Sequence, residues 1–135
     1  MNTKSFVSTT IVVWIVNSVL ATMLNMFILN WDDVPGAKSS EMMGATDFIF
    51  IYLGALAFSV FFTLIFIKGY EGKGVGEGVR YGIYVGLLIN MTEFLIRSGT
   101  TTLPGSILWG YHVGMTVVCI VMGVAAAAMY KPANS

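Results

Sequence analysis

An all-α polytopic membrane protein, with four transmembrane helices in one bundle and both termini in the cytoplasm, is the architecture this sequence predicts. Three observations carry it. Of 135 residues, 56% are hydrophobic and only 10% are charged, against roughly a quarter charged in a soluble domain. The mean hydropathy is +0.80. The charges also fall in clusters separated by long uncharged runs: 27 residues between Lys4 and Asp32, 20 between Asp47 and Lys68, and 33 between Arg97 and Lys131. A helix rising 1.5 Å per residue needs about 20 apolar residues to cross the hydrocarbon layer.

The first span is expected at residues 6–29. Lys4 alone is a weak basic flank, no A-x-A cleavage site follows, and the apolar run exceeds that of a leader, so it reads as a retained span. Residues 46–67 make the second. The third, 79–98, is interrupted by Glu93 and Arg97, but its core YGIYVGLLINM is too apolar for a connecting loop. The fourth, 105–130, opens at Pro104-Gly105 and is stopped by Pro132. Period-2 alternation is absent, which argues against a membrane β-barrel. The loops leave no room for a soluble module, so residues 1–135 read as one domain, and no internal repeat suggests an inverted-repeat transporter.

Orientation follows the Lys/Arg count near span ends. Lys4, Lys68, Lys73, Arg80 and Lys131 fall on one side, Lys38 and Arg97 on the other. That bias puts both termini and the 68–80 loop in the cytoplasm, with the cell's inner (plasma) membrane as the expected location. Trp31, Trp109 and Tyr111 then sit near the outer boundary and Tyr70, Tyr81 and Tyr130 near the inner one, while Trp14 falls well inside the first span.

Composition also excludes functions. Seven basic residues cancel seven acidic ones, so nothing is available to hold a nucleic-acid backbone. The single cysteine, Cys119, closes no internal disulfide and supplies no zinc or iron–sulfur site alone. The stretch GYEGKGVGEGVRYG at 69–82 lacks both G-x-x-x-x-G-K-[ST] and G-x-G-x-x-G, so it reads as a tight connection whose glycines permit positive φ. No cofactor set is complete, and an enzyme is not expected.

Two patterns remain. Small residues let helices approach closely in lipid: Gly78, Gly82 and Gly86 share one face of the third span, and Gly110, Gly114 and Gly123 recur in the fourth. Steps of 100° put Gly110 and Gly114 opposite His112, so one face of the fourth helix could meet a partner, or both could be used within the chain. The second pattern is a polar layer. Asn25, Glu93 and His112 are expected about 6 to 11 Å below the outer surface, with Asn90 slightly deeper, Asn17 near the midplane and Arg97 near the boundary. On the third helix Asn90, Glu93 and Arg97 share the face carrying Gly82 and Gly86, and apolar packing closes the layer on the inner side. Intramembrane polar groups are costly and are functional candidates by default. Their ordinary readings are a Glu93–Arg97 ion pair at i,i+4, interhelical bonds from Asn17, Asn25 and Asn90, and a hydrogen-bonded His112.

Four spans in so short a chain invite comparison with small multidrug exporters, but their essential first-span acid has no counterpart here. The expectation is therefore a non-catalytic accessory or scaffold subunit of a membrane complex, or a homo-oligomer, with the lipid bilayer and protein partners as its contacts. The alternative is a small-solute, ion or proton-coupled transporter or channel using Glu93, Arg97 and His112. A narrower version makes His112 a ligand to a tetrapyrrole or a donor to a quinone.

Overall fold

In the computed structural model, residues 2–28 and 42–132 are described. All regular structure among them is helical. Helix α1 spans Thr3–Met23 and ends in a π-turn at Leu24–Ile28; α2 spans Ala45–Lys68. Helices α3 (Val75–Gly86) and α4 (Thr92–Thr100) are joined by a second π-turn, Leu87–Met91, into one continuous rod. Helix α5 spans Gly105–Met129. Four of these rods are long and apolar enough to cross a membrane: Thr3–Phe27, Ala45–Lys68, Val75–Thr100 and Gly105–Met129. Most of the expected 30–45 connection, with Trp31 and Lys38, lies outside the described residues, as does Leu29, the expected end of the first span.

The third rod begins four residues before the expected Val79, and the cause is Glu77. Its buried carboxylate accepts the backbone N–H of Glu71 at 2.6 Å and of Lys73 at 2.9 Å. The connection thereby folds back onto the first turn of α3 and shortens to Gly69–Gly74. Only Gly72 and Gly74 take positive φ, 76° and 73°; Val75 onward, expected as loop, is helix. Glu71 is itself paired with Lys73, and with Arg80 at 3.5 Å. The Lys73 ammonium, then Arg80, hold the Glu71 carboxyl below its ordinary range.

One end of the bundle gathers residues 2–5, 70 and 130–132. The Asn2 amide donates to the Lys131 carbonyl, and the Lys131 N–H donates to the Ser5 hydroxyl at 2.6 Å. Asn2 also caps α1, accepting from the Ser5 N–H. At the opposite, far end, Leu24 lies against Gly114, so α1 and α5 run antiparallel.

The tightest contact is between α3 and α5. Gly78 faces Gly123, Gly82 faces Cys119 and Ile120, and Gly86 faces Thr116. A methyl group on Gly78 or Gly123 would overlap the other's carbonyl oxygen. Backbone on backbone is the arrangement that small residues permit in lipid, and the expected face is the one used. The Gly114 side of α5 is also taken up within the chain: a side chain there would collide with Leu24.

Aromatic rings tie α2 to the rest. Phe62 and Tyr81 stack edge-on at 4.7 Å, Phe66 meets Tyr81 at 5.3 Å and Tyr70 at 5.8 Å, and Tyr70 meets Tyr130 at 5.0 Å. The Tyr81 hydroxyl donates to the Phe62 carbonyl at 2.6 Å. The tyrosines expected near the inner boundary also pack within the bundle: Tyr130 is buried, and the Tyr81 hydroxyl has an internal partner. Trp14, anomalous in the sequence, donates its indole N–H to the Tyr52 carbonyl of α2 at 3.2 Å. Val13, Val118, Met122 and Ala126 complete the core. The first half of α2, apart from the Trp14 contact at Tyr52, is exposed at Phe48, Ile49, Phe50, Ile51 and Leu53.

Candidate functional site

The two π-turns share a construction. Asn25 lies in the first and its side-chain amide donates to the Ala21 carbonyl at 2.6 Å; Asn90 lies in the second and donates to the Gly86 carbonyl at 3.0 Å. In both cases the acceptor is the carbonyl four residues back, the one an α-helical N–H would use. A side chain that competes for that carbonyl pushes the backbone bond on to the next residue, which widens the turn. An asparagine in the middle of an apolar span was the available signal for these turns.

The second π-turn changes which residues face α5. Past it, Phe94 meets α5, stacking on Trp109 at 4.4 Å and on His112 at 5.7 Å. Glu93, expected on the face that meets α5, binds Arg97 along the helix: both the guanidinium Nε and Nη2 donate to its Oε1 at 2.7 Å. The ion pair expected at i,i+4 is present, and it carries the guanidinium to the edge of α5.

There, at the far end of the bundle, a cavity of about 150 Å³ is lined by Asn25, Arg97, Leu103, Ile107, Leu108, Tyr111 and His112. Three candidates from the sequence thus meet: Asn25 of α1, Arg97 of α4 and His112 of α5. Glu93 supports the site through Arg97, and the Glu93–Arg97 pair is within electrostatic reach of Tyr111 and His112. Asn90 and Asn17 do not line the cavity; Asn90 faces Cys119, which is buried. Tyr111, read as a boundary anchor, belongs to the lining, and its ring packs on His112 at 5.1 Å. Nothing in the sequence pointed to Leu103, because the path of the 101–104 connection is set by tertiary packing.

His112 is the unusual member. It is 5% exposed, and among the described residues neither ring nitrogen has a hydrogen-bond partner. Burying a polar group without a partner costs about 1–3 kcal/mol, and most buried polar groups are paired. Arg97, with its side chain 44% exposed, stands at the open edge of the same cavity. The site therefore grades from a charged rim to an unsatisfied imidazole in its depth, with an apolar wall of Leu103, Ile107 and Leu108.

Below this cavity the interior is less apolar than expected. Ser5, Thr9, Thr10, Val13 and Asn17 form the buried face of α1, and Ser59 and Thr63 are buried on α2. The Thr9, Thr10, Asn17, Ser18 and Thr63 side chains each hold a buried oxygen without a partner among the described residues. The expected apolar closure is present in Val13, Phe62, Phe66, Val118, Met122 and Ala126, and a polar seam along α1 runs beside it. The sequence concealed it because serine and threonine look neutral in a hydropathy profile, and which face of α1 is buried follows only from its neighbours. Among the described residues no three of His, Cys, Asp and Glu are grouped to hold a metal ion; His112 alone offers a ring nitrogen to a cofactor.

No protein-family model matches this chain, and it has no significant match among the curated proteins or the solved structures.

Proposed function

We propose that this is a non-catalytic integral membrane protein that takes up a small solute at the cavity between α1, α4 and α5, as the outer site of a small transporter or channel. The observation that carries this reading is His112. An imidazole that is buried, lines a cavity and bonds to nothing among the described residues destabilises the fold, and such a group is retained where a ligand supplies the missing partner. The Lys/Arg distribution turns the cavity toward the outside. The polar seam along α1 supports a path leading inward, since buried unpaired oxygens are where internal water is held. The volume favours a small ligand: an apolar cavity of roughly this size holds benzene, so a tetrapyrrole on His112 is disfavoured.

The test is the stability of His112→Leu, measured by denaturant unfolding in detergent. Leucine fills similar space without polar atoms, so the variant is expected to be more stable than the parent by about 1 kcal/mol or more. A loss of stability instead would make His112 an ordinary packing residue and remove the basis of the reading.

A second reading, the accessory subunit or self-associating scaffold, is favoured by the first half of α2, where Phe48, Phe50 and Leu53 are exposed. The Gly114 face gives it no support, being filled by Leu24. Under this reading Phe50→Cys, labelled with a bulky maleimide in intact membranes, is slow to react and releases foreign subunits or second copies in native mass spectrometry. Rapid labelling with no change in mass counts against it.

A further inference from the structure

We infer that the cleft between α2 and α3, at the end of the bundle opposite the solute cavity, holds one phospholipid with a zwitterionic, primary-amine headgroup. Phosphatidylethanolamine is the type. The cleft has a volume of about 340 Å³, within the roughly 300–1,000 Å³ of small-ligand sites. Its floor is aromatic: Tyr81 reaches across from α3 to meet Phe66 of α2 at 5.3 Å, which closes the cleft toward the core. Its outward side is Ile65 and Tyr84, 58% and 68% exposed. Each lies four residues, or about 6 Å, farther toward the middle of the bundle than the polar rim at Gly69 and Arg80. The layering is that of a lipid at the membrane boundary, with an aromatic ring at headgroup level. Phe61, one turn beyond Ile65 and also exposed, continues the apolar track for an acyl chain.

The rim is held in place by the fold. The buried Glu77 carboxylate fixes the backbone of Glu71 and Lys73, and so sets both residues at the cleft beside Arg80. Glu71 takes Lys73 and Arg80 on the same oxygen, Oε2. Its Oε1 has no partner among the described residues, and the neighbouring cations keep it ionised. A lysine ammonium has three N–H donors and an arginine guanidinium five, so most of theirs remain after the pairing with Glu71. The lining as a whole is neutral, with Glu71 and Glu77 against Lys73 and Arg80. It therefore suits a headgroup that is neutral and carries both signs. The lipid phosphate accepts from Lys73 and Arg80, and the ammonium donates to Oε1 of Glu71. A choline headgroup has no N–H for that oxygen, and a net-anionic headgroup brings no cation to it.

The experiment is native mass spectrometry of the full chain in a neutral detergent. Phosphatidylethanolamine, phosphatidylcholine or phosphatidylglycerol is titrated in, all with oleoyl chains. The first phosphatidylethanolamine is expected to bind about tenfold more tightly than either of the others, the effect of one hydrogen bond between charged groups. Glu71→Gln is expected to erase the preference over phosphatidylcholine and to tighten phosphatidylglycerol, because it releases two cations. Arg80→Gln is expected to weaken phosphatidylethanolamine. Both side chains are more than half exposed, so the helical circular dichroism of each variant should match the parent. Equal binding of the three lipids, or tightest binding of either of the other two, overturns the inference. So does a phosphatidylethanolamine preference that survives in Glu71→Gln. Displacement of the lipid by an equal concentration of free phosphoethanolamine overturns it too, since the apolar track would then add nothing. None of these outcomes bears on the solute cavity, which His112→Leu tests separately.

Discussion

Gly123→Ala is expected to destabilise the protein by about 3 kcal/mol, the upper part of the usual range for overpacking a tight contact. The new methyl group would overlap the Gly78 carbonyl oxygen, and that oxygen belongs to the backbone of α3. A side chain could rotate aside; a helical carbonyl moves only if the two helices separate. Gly78→Ala makes the reciprocal collision with Gly123 and also brings its methyl within 2.8 Å of the Ala127 Cβ. Because one separation of α3 from α5 relieves both clashes, the double variant is expected to lose clearly less than the two single losses added together. Gly54→Ala is the matched control. It meets nothing within 4 Å, so it should be neutral or gain up to about 1 kcal/mol from helix propensity. Unfolding in detergent micelles, followed by circular dichroism, measures all four variants. If Gly123→Ala behaves like Gly54→Ala, the α3–α5 contact is not what holds the bundle together.

Glu77→Ala should have the second-largest effect, about 2–4 kcal/mol, focused on the connection between α2 and α3. Two backbone N–H groups now bond to a carboxylate that is 6% exposed, and hydrogen bonds to charged groups contribute about 1.5–3 kcal/mol each. Water recovers part of that loss because the connection lies at the end of the bundle. The distinguishing measurement is amide hydrogen exchange at Glu71 and Lys73, where protection is expected to fall in the variant. Glu77→Gln keeps one acceptor oxygen and turns an amide donor toward the other N–H, so it is expected to be intermediate. Unchanged exchange in Glu77→Ala would mean that Gly72 and Gly74 set the loop without help.

The four rods were legible because a run of some 20 residues without charge has few other readings, and the Gly78–Gly82–Gly86 face because spacing of four is nearly a helical turn. What could not be read has a common physical cause. Rotation about a helix axis and the identity of its neighbours are tertiary quantities. Leu24 filling the space over Gly114 could not be foreseen from the spacing of Gly110 and Gly114. The polar seam of Thr9, Thr10 and Asn17 was invisible until α1 had a buried face. Asn25, Arg97 and His112 stand out in the sequence as polar residues within apolar spans, but nothing in their spacing shows that they meet at one cavity. The stacking of Phe94 on Trp109 and His112 was not legible because uniform 100° steps do not hold through a π-turn. The Glu77 carboxylate was overlooked for a simpler reason: an acid in a glycine-rich stretch resembles any solvated loop residue.

The π-turn at Leu87–Met91 bears on how this chain can change length. In an ordinary helix, losing one residue turns everything beyond it by about 100° and carries a whole face away from its neighbour. A π-turn already contains a surplus residue, because its bonds run from i to i+5. Removing the exposed Leu88 would let the rod close as plain α-helix with Phe94 and Arg97 still aimed at α5, whereas the same deletion in α2 would carry the Phe62–Phe66 stripe off Tyr81. Ligand binding is therefore expected to survive deletion of Leu88 and to be lost on deletion of Val60. The wide turn is in this sense a gene-level hinge, a point where a codon can be dropped from the reading frame of the helix without disturbing the site beyond it.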